Sequence, residues 1–406
     1  MNSERHASIA VGCVALALSL VSSLALADKK YGPGATDTEI KLGQSYPYSG
    51  PLSAYSTIAK AQAAYFKKVN EEGGVNGRRI TLISLDDGFS PPKTVENVRR
   101  LVEQDEVLAL FNVLGTPTNT AILKYVHQKR VPNLFVATGA SKFGDHQNNP
   151  WTIGWQPTYH VETGVFAHYI IKNLPNAKVA VLYQNDDAGR DFLAGVHDGF
   201  GDLRSKMIVA EVSYEVSDPT VDSQVLSLQG SGADVFLLLA APKATAQAIR
   251  KAGGIGWKPT IFISQISSSV DLVLKPAGLE NAVGIWSTAY IKDPSDASFK
   301  SDKGVQEYLA FMKAHYPDAN PVDPFNVYGY TTAQTMLEVL KRCGDDLTRE
   351  NLMRQATNLK DLEVPMLTPG IRVNTSPSDY FPIEQEQMMR FDGQKWIRIG
   401  EIISGR

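Results

Sequence analysis

The chain has 406 residues, of which 43% are hydrophobic and 20% charged, and its net charge is −3. This balance excludes the strongly basic surface that a nucleic acid or an anionic membrane would attract. A chain of this length is longer than one hydrophobic core usually supports, so two domains are expected.

The N-terminal segment predicts export from the cytoplasm. Arg5 precedes an apolar stretch over residues 9–26, and the stretch closes with Ala-Leu-Ala. A charged start, an apolar middle and small residues at the end are typical of a cleavable signal peptide. We therefore predict a signal peptide over residues 1–27. An uncleaved membrane anchor is the alternative, and the glycine and serines that interrupt the apolar stretch favour cleavage.

Strands and helices alternate through the rest of the chain, which favours parallel sheets with helices on both faces. Residues 107–111 are almost all apolar, as a strand covered on both faces requires. The pattern restarts near residue 158, so we predict two such lobes. The predicted strands are 40–43, 80–85, 107–111, 132–136, 178–183, 209–214, 235–239, 260–264, 283–290 and a hairpin over 387–399. The predicted helices are 55–70, 93–104, 121–128, 161–172, 189–200, 221–228, 244–252, 305–315 and 326–342.

Motifs of catalysis are missing where the fold class would need them. A dinucleotide-binding enzyme, the main alternative, requires Gly-x-Gly-x-x-Gly between its first strand and first helix. Residues 44–51 read Gln-Ser-Tyr-Pro-Tyr-Ser-Gly-Pro instead, and the chain contains neither a phosphate loop nor a Gly-x-Ser-x-Gly elbow. After cleavage one cysteine remains, Cys343, which is predicted to be buried near a helix end. No histidine pair has zinc-binding spacing, so we expect no enzyme, cofactor or metal.

The most informative pattern lies within residues 69–87. A helix ends there at a Gly-Gly pair, a Val-Asn-Gly-Arg turn follows, and the next strand stops at two aspartates. A Ser-Gly-Pro turn at residues 49–51 precedes the helix. This order resembles the first βαβ unit of the type I periplasmic solute-binding proteins. The similarity continues to the C-terminus and is closest to the Leu/Ile/Val-binding group of ABC importers. Within this family, an aromatic-acid-binding branch is the one that we consider.

The resemblance implies an α/β fold of two Rossmann-like lobes, each a parallel sheet flanked by helices, joined by a three-strand hinge. It implies an N-lobe over residues 38–157 plus 290–362 and a C-lobe over 158–289 plus 363–406. It further implies a periplasmic protein that closes about the hinge on a small molecule and is then recognised by an inner-membrane ABC permease. We expect the protein to be a monomer.

Ligands of open α/β sheets bind at the carboxyl ends of the strands, so strand–helix junctions are the candidate sites. The resemblance implies that Tyr55 covers the ligand, and a surface tyrosine at a helix start is the alternative. Thr116, Thr118 and Asn119 begin a later helix, where side-chain donors and free backbone N–H groups suit a carboxylate. Capping of that helix by Thr118 or Asn119 is the alternative role.

A second carboxylate-binding turn is implied at Thr138, Gly139, Ala140 and Ser141. In the family this turn offers a hydroxyl and a backbone N–H, and its small residues permit close approach of the backbone to a ligand. The alternative is a turn without contact to a ligand.

The C-lobe departs from the pattern of amino-acid-binding relatives, which carry an acid after the strand that corresponds to residues 260–264. Gln265 and Ile266 follow that strand here. A buried ammonium group must be paired, so the missing acid argues against an α-amino acid. Asp186 and Asp187 are further candidate partners for an ammonium, and the alternative role of Asp187 is to cap the helix that begins near Gly189.

These departures predict a ligand with a carboxylate and a bulky apolar or aromatic body, of the benzoate or cinnamate type. Ala188 and Ala240 stand where relatives have tyrosines, which enlarges the cleft. Trp151, Trp155 and Tyr159 are candidates to line it, with packing in the hinge as their alternative. A branched-chain amino acid or amide is the alternative ligand, and a ligand-sensing domain the alternative role.

Overall fold

The computed structural model describes residues 29–405, so the predicted signal peptide lies outside the described residues. Within this part of the chain, no helix combines the length and the apolar character needed to cross a membrane. The strands are β1 (Lys30–Tyr31), β2 (Glu39–Tyr46), β3 (Arg79–Asp86), β4 (Ala109–Phe111), β5 (Asn133–Leu134), β6 (Thr152–Ile153), β7 (Val179–Gln184), β8 (Ile208–Tyr214), β9 (Val235–Leu239), β10 (Thr260–Ile263), β11 (Trp286–Ala289), β12 (Asp346–Leu347), β13 (Gln385–Phe391) and β14 (Trp396–Ser404).

The helices alternate with these strands much as predicted. They are α1 (Ser56–Glu71), α2 (Pro91–Glu103), α3 (Thr116–Gln128), α4 (Tyr159–Asn173), α5 (Asp187–Phe200), α6 (Arg204–Met207), α7 (Asp222–Gly230), α8 (Pro242–Gly254), α9 (Lys275–Ala277), α10 (Leu279–Ala282), α11 (Lys303–His315), α12 (Pro324–Cys343) and α13 (Arg349–Ala356). The helix predicted over 121–128 begins five residues earlier, because Pro117 occupies its first turn, where a missing N–H costs nothing.

Two sheets form the two lobes. The first has the order β3-β2-β4-β5-β6 with all neighbours parallel. The second has the order β14-β13-β11-β10-β9-β7-β8, in which β13 runs antiparallel to both of its neighbours. Parallel strands need crossover helices, and these cover the faces of both sheets. The predicted two-lobed α/β fold is confirmed.

The chain passes between the lobes more than once. The first sheet takes its strands from residues 39–153, and the second from residues 179–289 and 385–404. Between these segments α12 returns to pack against α1 of the first lobe. Leu367 and Ile383 belong to the same buried cluster as β2 and α1. The domain limits stay a prediction, and we propose that the last crossing follows Ile383.

Helix α12 brings aromatic residues to the boundary between the lobes. The Asp323 side chain caps it by accepting a hydrogen bond from the Phe325 N–H at 2.9 Å. Gly329 permits the close approach to α1, since a Cβ there would lie 2.6 Å from the Ile58 carbonyl oxygen. The capped start of α12 therefore places Phe325 and Tyr328 at the cleft.

The turn from β7 into α5 requires a glycine, so we expect Gly189→Ala to destabilise the protein. A Cβ at Gly189 would lie 1.7 Å from the Gln184 carbonyl oxygen, and relieving that overlap costs about 1–3 kcal/mol. Urea denaturation should show the loss. Gly230→Ala is the control, because nothing lies within 4 Å of a Cβ at the end of α7. Equal midpoints for the two variants would contradict this account.

Candidate ligand-binding site

A cavity of about 470 Å³ lies between the two lobes. Its walls include residues that follow strands of both sheets, such as Leu114 after β4 and Gln265 after β10. Most of the lining is apolar or aromatic, with Phe192, Phe325 and Trp396 among the larger side chains. A cavity of this size and character is suited to a small organic molecule.

Four of the predicted ligand-binding residues line this cavity: Tyr55, Thr116, Gln265 and Ile266. Tyr55 is buried, so the alternative that it is a surface tyrosine at a helix start is wrong. Its hydroxyl donates to the Ile266 carbonyl oxygen at 3.3 Å, and its ring centroid lies 5.2 Å from that of Phe325. Tyr55 therefore joins the two lobes over one wall of the cavity. Ligand contact by these four residues stays a prediction.

Thr118 and Asn119 are buried away from the cavity. The Thr118 hydroxyl donates to the Gly115 carbonyl at 2.9 Å, and the Asn119 amide donates to the same carbonyl at 2.7 Å. The capping alternative is wrong for both, because α3 begins at Thr116 and Gly115 is its cap residue. Their hydrogen bonds hold the loop before α3 in place, which leaves Thr116 facing the cavity.

The turn predicted as the second carboxylate site does not line the cavity either. The Thr138 hydroxyl lies 2.6 Å from the Thr116 hydroxyl and accepts the Ala140 N–H at 3.1 Å. The Tyr159 ring covers Gly139, since a Cβ there would lie 2.6 Å from it. In this structure the turn supports Thr116 from behind, and direct contact with a ligand stays a prediction.

A set of polar contacts, here called the interlobe latch, connects the first lobe to α5 of the second. Lys142 Nζ lies 2.6 Å from an Asp187 oxygen, and the Thr120 hydroxyl donates to the same oxygen at 3.2 Å. The Ser141 N–H and hydroxyl both donate to Asp191 at 3.1 Å. Ser141 and Asp187, both predicted as ligand contacts, thus hold the lobes together at one side of the cleft.

The predicted capping role of Asp187 is wrong. Asp186 is the cap residue of α5, and its side chain accepts the N–H groups of Ala188 and Gly189 at 2.9 and 3.1 Å. Asp187 is the first helical residue instead. The hydrogen bond from Lys142 lowers the pKa of Asp187 to about 2, so its carboxylate is charged at any physiological pH.

The loop that follows β10 has no acid of its own, but a buried acid from α4 contacts it. Glu162 is fully buried, and its carboxyl accepts the Ser264 hydroxyl at 2.7 Å and the Gln265 N–H at 2.6 Å. The sequence next to β10 does not reveal this acid, because Glu162 lies about a hundred residues earlier in the chain. The available signal was an acid within the buried stripe of α4 that includes Tyr159 and Phe166.

A second buried acid lies beside Glu162. Thr288 Oγ1 lies 3.2 Å from an oxygen of Glu162 and 3.2 Å from an oxygen of Glu386. Burial raises the pKa of Glu162 to about 7. Burial and the neighbouring Glu162 raise the pKa of Glu386 well above its usual range. Because two charged carboxylates would repel each other here, the pair retains a proton at neutral pH.

This buried pair makes the stability of the protein depend on pH. The folded protein holds a proton that the unfolded chain releases above about pH 4.5, so the free energy of unfolding falls as the pH rises toward about 7. The slope should approach about 1.4 kcal/mol per pH unit for each such proton. Urea denaturation across this range should show a smaller slope for Glu386→Gln, whereas Glu96→Gln, on the exposed face of α2, should leave it unchanged. A flat wild-type profile would contradict the assignment.

Metal-ligating side chains are dispersed. No group of three or more histidine, cysteine or acidic residues within residues 29–405 is arranged to hold a metal ion. Cys343 is buried at the end of α12, as predicted, and burial raises the pKa of its thiol to about 12. The thiol is therefore protonated and shielded from reagents.

Comparison with known proteins gives the same family over most of the chain. The periplasmic binding protein family model matches residues 39–394. The Leu/Ile/Val-binding protein homolog 7 of Brucella abortus is 23% identical over 361 residues, which cover 86% of this chain and 88% of that protein.

Solved structures share the fold at low identity. A branched-chain amino acid ABC transporter protein from Thermus thermophilus with bound valine has a TM-score of 0.81 at 16% identity, covering 91% of this chain and 97% of that one. A fatty acid ABC transporter substrate-binding protein from Thermomonospora curvata has a TM-score of 0.77 at 23% identity, covering 93% and 95%.

Proposed function

Because this chain belongs to the periplasmic binding protein family, we propose that it captures a small carboxylate with an apolar or aromatic body and delivers it to an ABC permease. The family consists of substrate-binding proteins rather than enzymes and is periplasmic. We propose that the protein is a monomer and that it releases its ligand, chemically unchanged, to the permease.

The observation that carries this proposal is the uneven polarity of the cavity. Thr116 lines it in the first turn of α3, where backbone N–H groups lack helical partners and the helix dipole favours an anion. The Thr138 hydroxyl, 2.6 Å away, orients the Thr116 hydroxyl. Charged side chains such as Lys275 and Arg398 also line the cavity, and the body of a carboxylate bound at this helix start would lie against the apolar part of the lining.

The apolar walls favour a flat, bulky body. Tyr159 and Phe192 stack with ring centroids 3.9 Å apart, and both line the cavity. Ala188 and Ala240 also line it, and their small side chains leave room beside these rings. An aromatic ring or an acyl chain would bury its apolar surface here, at about 25 cal/mol for each Å² removed from water.

Contacts between the two lobes on both sides of the cavity hold the lobes closed. The interlobe latch joins α3 and the 141–142 turn to α5. On the other side the Ser269 hydroxyl donates to Asp323 at 2.8 Å. A ligand that touches both lobes would stabilise this arrangement relative to an open one, and the closed form is the state proposed for permease recognition.

A branched-chain amino acid is the second candidate ligand. It is favoured by Glu162, whose carboxyl lies beneath the Gln265 loop, and by the relatives named as Leu/Ile/Val-binding proteins. However, Glu162 is 1% exposed and already accepts hydrogen bonds from Ser264, Gln265 and Thr288. A fully buried carboxyl with its oxygens occupied is a poor partner for an ammonium group, so we place the carboxylate without an ammonium first.

Two ligands that differ only in the ammonium group test this choice. We expect 3-phenylpropionate to raise the melting temperature of residues 28–406 and phenylalanine to leave it unchanged, because a ligand that binds only the folded state stabilises it. Leucine and valine complete the comparison. Stabilisation by the amino acids and not by 3-phenylpropionate would reverse the ranking of the two candidates.

Thr116 should contribute to the affinity for the carboxylate. We expect Thr116→Val to weaken binding of 3-phenylpropionate by about 10- to 100-fold, because a hydrogen bond to a charged group contributes about 1.5–3 kcal/mol. Thr38→Val is the control, because Thr38 is exposed and does not line the cavity. Titration calorimetry measures both, and equal losses would contradict the assignment of Thr116.

A further inference from the structure

Two buried polar side chains next to the cavity each have a donor atom without a partner. Gln156 is 7% exposed and Tyr290 is 1% exposed, and both line the cavity. Within residues 29–405, neither Gln156 Nε2 nor the Tyr290 hydroxyl has a hydrogen-bond partner. Buried donors without partners destabilise a folded protein, so two of them among the residues that line the cavity indicate that a bound molecule satisfies them.

The two side chains lie in the segments that connect the lobes. Gln156 follows β6 at the first crossing, and Tyr290 follows β11 at the second. The ring of Trp155 meets the Tyr290 ring edge-on, with centroids 5.8 Å apart. The Trp155 indole N–H donates to Thr335 at 3.0 Å, and the Thr368 N–H donates to the Tyr290 carbonyl at 2.8 Å. Tyr290 and Trp155, the residue that precedes Gln156, are therefore held in position before a ligand arrives.

The charges around these two donors determine which kind of acceptor group they can bind. Burial raises the pKa of Tyr290 well above its usual range, so its hydroxyl keeps its proton and remains a donor. The buried carboxyls of Glu386 and Glu162 are close enough to Tyr290 to raise that pKa further. The negative charge that remains on this pair would repel a second anionic group on the ligand, whereas a neutral oxygen would not be repelled.

We propose that Gln156 and Tyr290 form a second polar contact that selects ligands with a neutral oxygen acceptor on the body, such as a ring hydroxyl, ether or carbonyl. This proposal rests on the proposed function, because it assumes that the carboxylate lies at Thr116. It narrows the ligand class from apolar carboxylates in general to oxygen-substituted ones. The two residues determine specificity because a ligand without that oxygen leaves both donors unpaired.

The test compares cinnamate with 4-hydroxycinnamate and 4-methoxycinnamate by titration calorimetry. We expect the wild-type protein to bind at least one of the oxygen-substituted acids about 10-fold more tightly than cinnamate. In Tyr290→Phe the ratio of affinities should fall toward one. Wild-type binding of all three acids with equal affinity would support the proposed function and overturn this inference, so the two can fail separately.

A second measurement tests the inference without any ligand. Tyr290→Phe should keep or raise the melting temperature, because it removes a buried hydroxyl that has no partner. Tyr308→Phe is the matched control: Tyr308 is equally buried but donates to the Pro321 carbonyl at 2.8 Å, so its melting temperature should fall. An equal fall for both variants would overturn the inference even if no cinnamate binds, since the Tyr290 hydroxyl would then be structural.

Discussion

The packing of Trp155 is the constraint on which the rest of the structure depends. Its ring meets Tyr290 and Tyr328 edge-on, with centroids 5.8 and 5.2 Å away, and its N–H bonds to Thr335. These residues come from the first crossing, the second crossing and α12. One buried indole therefore fixes how the two sheets meet, and the cavity forms where their strand ends face each other. Aromatic contacts of this geometry are stronger than their buried area alone would predict.

The cavity combines rigid and adjustable parts. Its floor is held by the packing of Trp155 against Tyr290 and Tyr328. The carboxyl pair of Glu162 and Glu386, which bridges α4, β11 and β13 through Thr288, also holds it. Its sides are closed by the interlobe latch, which is polar and partly exposed to water, and by the buried contact between Ser269 and Asp323. Polar contacts that water can replace are weak individually, so a ligand contacting both lobes can shift the balance between open and closed forms.

The candidate site was only partly predictable from the sequence. Thr116 was identified because a helix start after a buried strand has free N–H groups wherever it occurs. Thr118 and Asn119 share that position, and only the three-dimensional path of the loop directs their side chains inward to the Gly115 carbonyl. Ser141 and Asp187 have the chemistry of ligand contacts, yet their partners lie on the opposite lobe. Which partner such a group takes depends on the packing of distant segments.

The sequence by itself predicts the export signal. It also determined the alternation of strands and helices, the two lobes and the family. These features follow from local periodicity, glycine turns and helix starts, which involve residues close together in the chain. Only the tertiary structure decided that Glu162 hydrogen-bonds the loop after β10, about a hundred residues away, and that both Gln156 and Tyr290 line the cavity. Burial and pairing of polar groups depend on which distant segments meet, and that is a property of the folded chain as a whole.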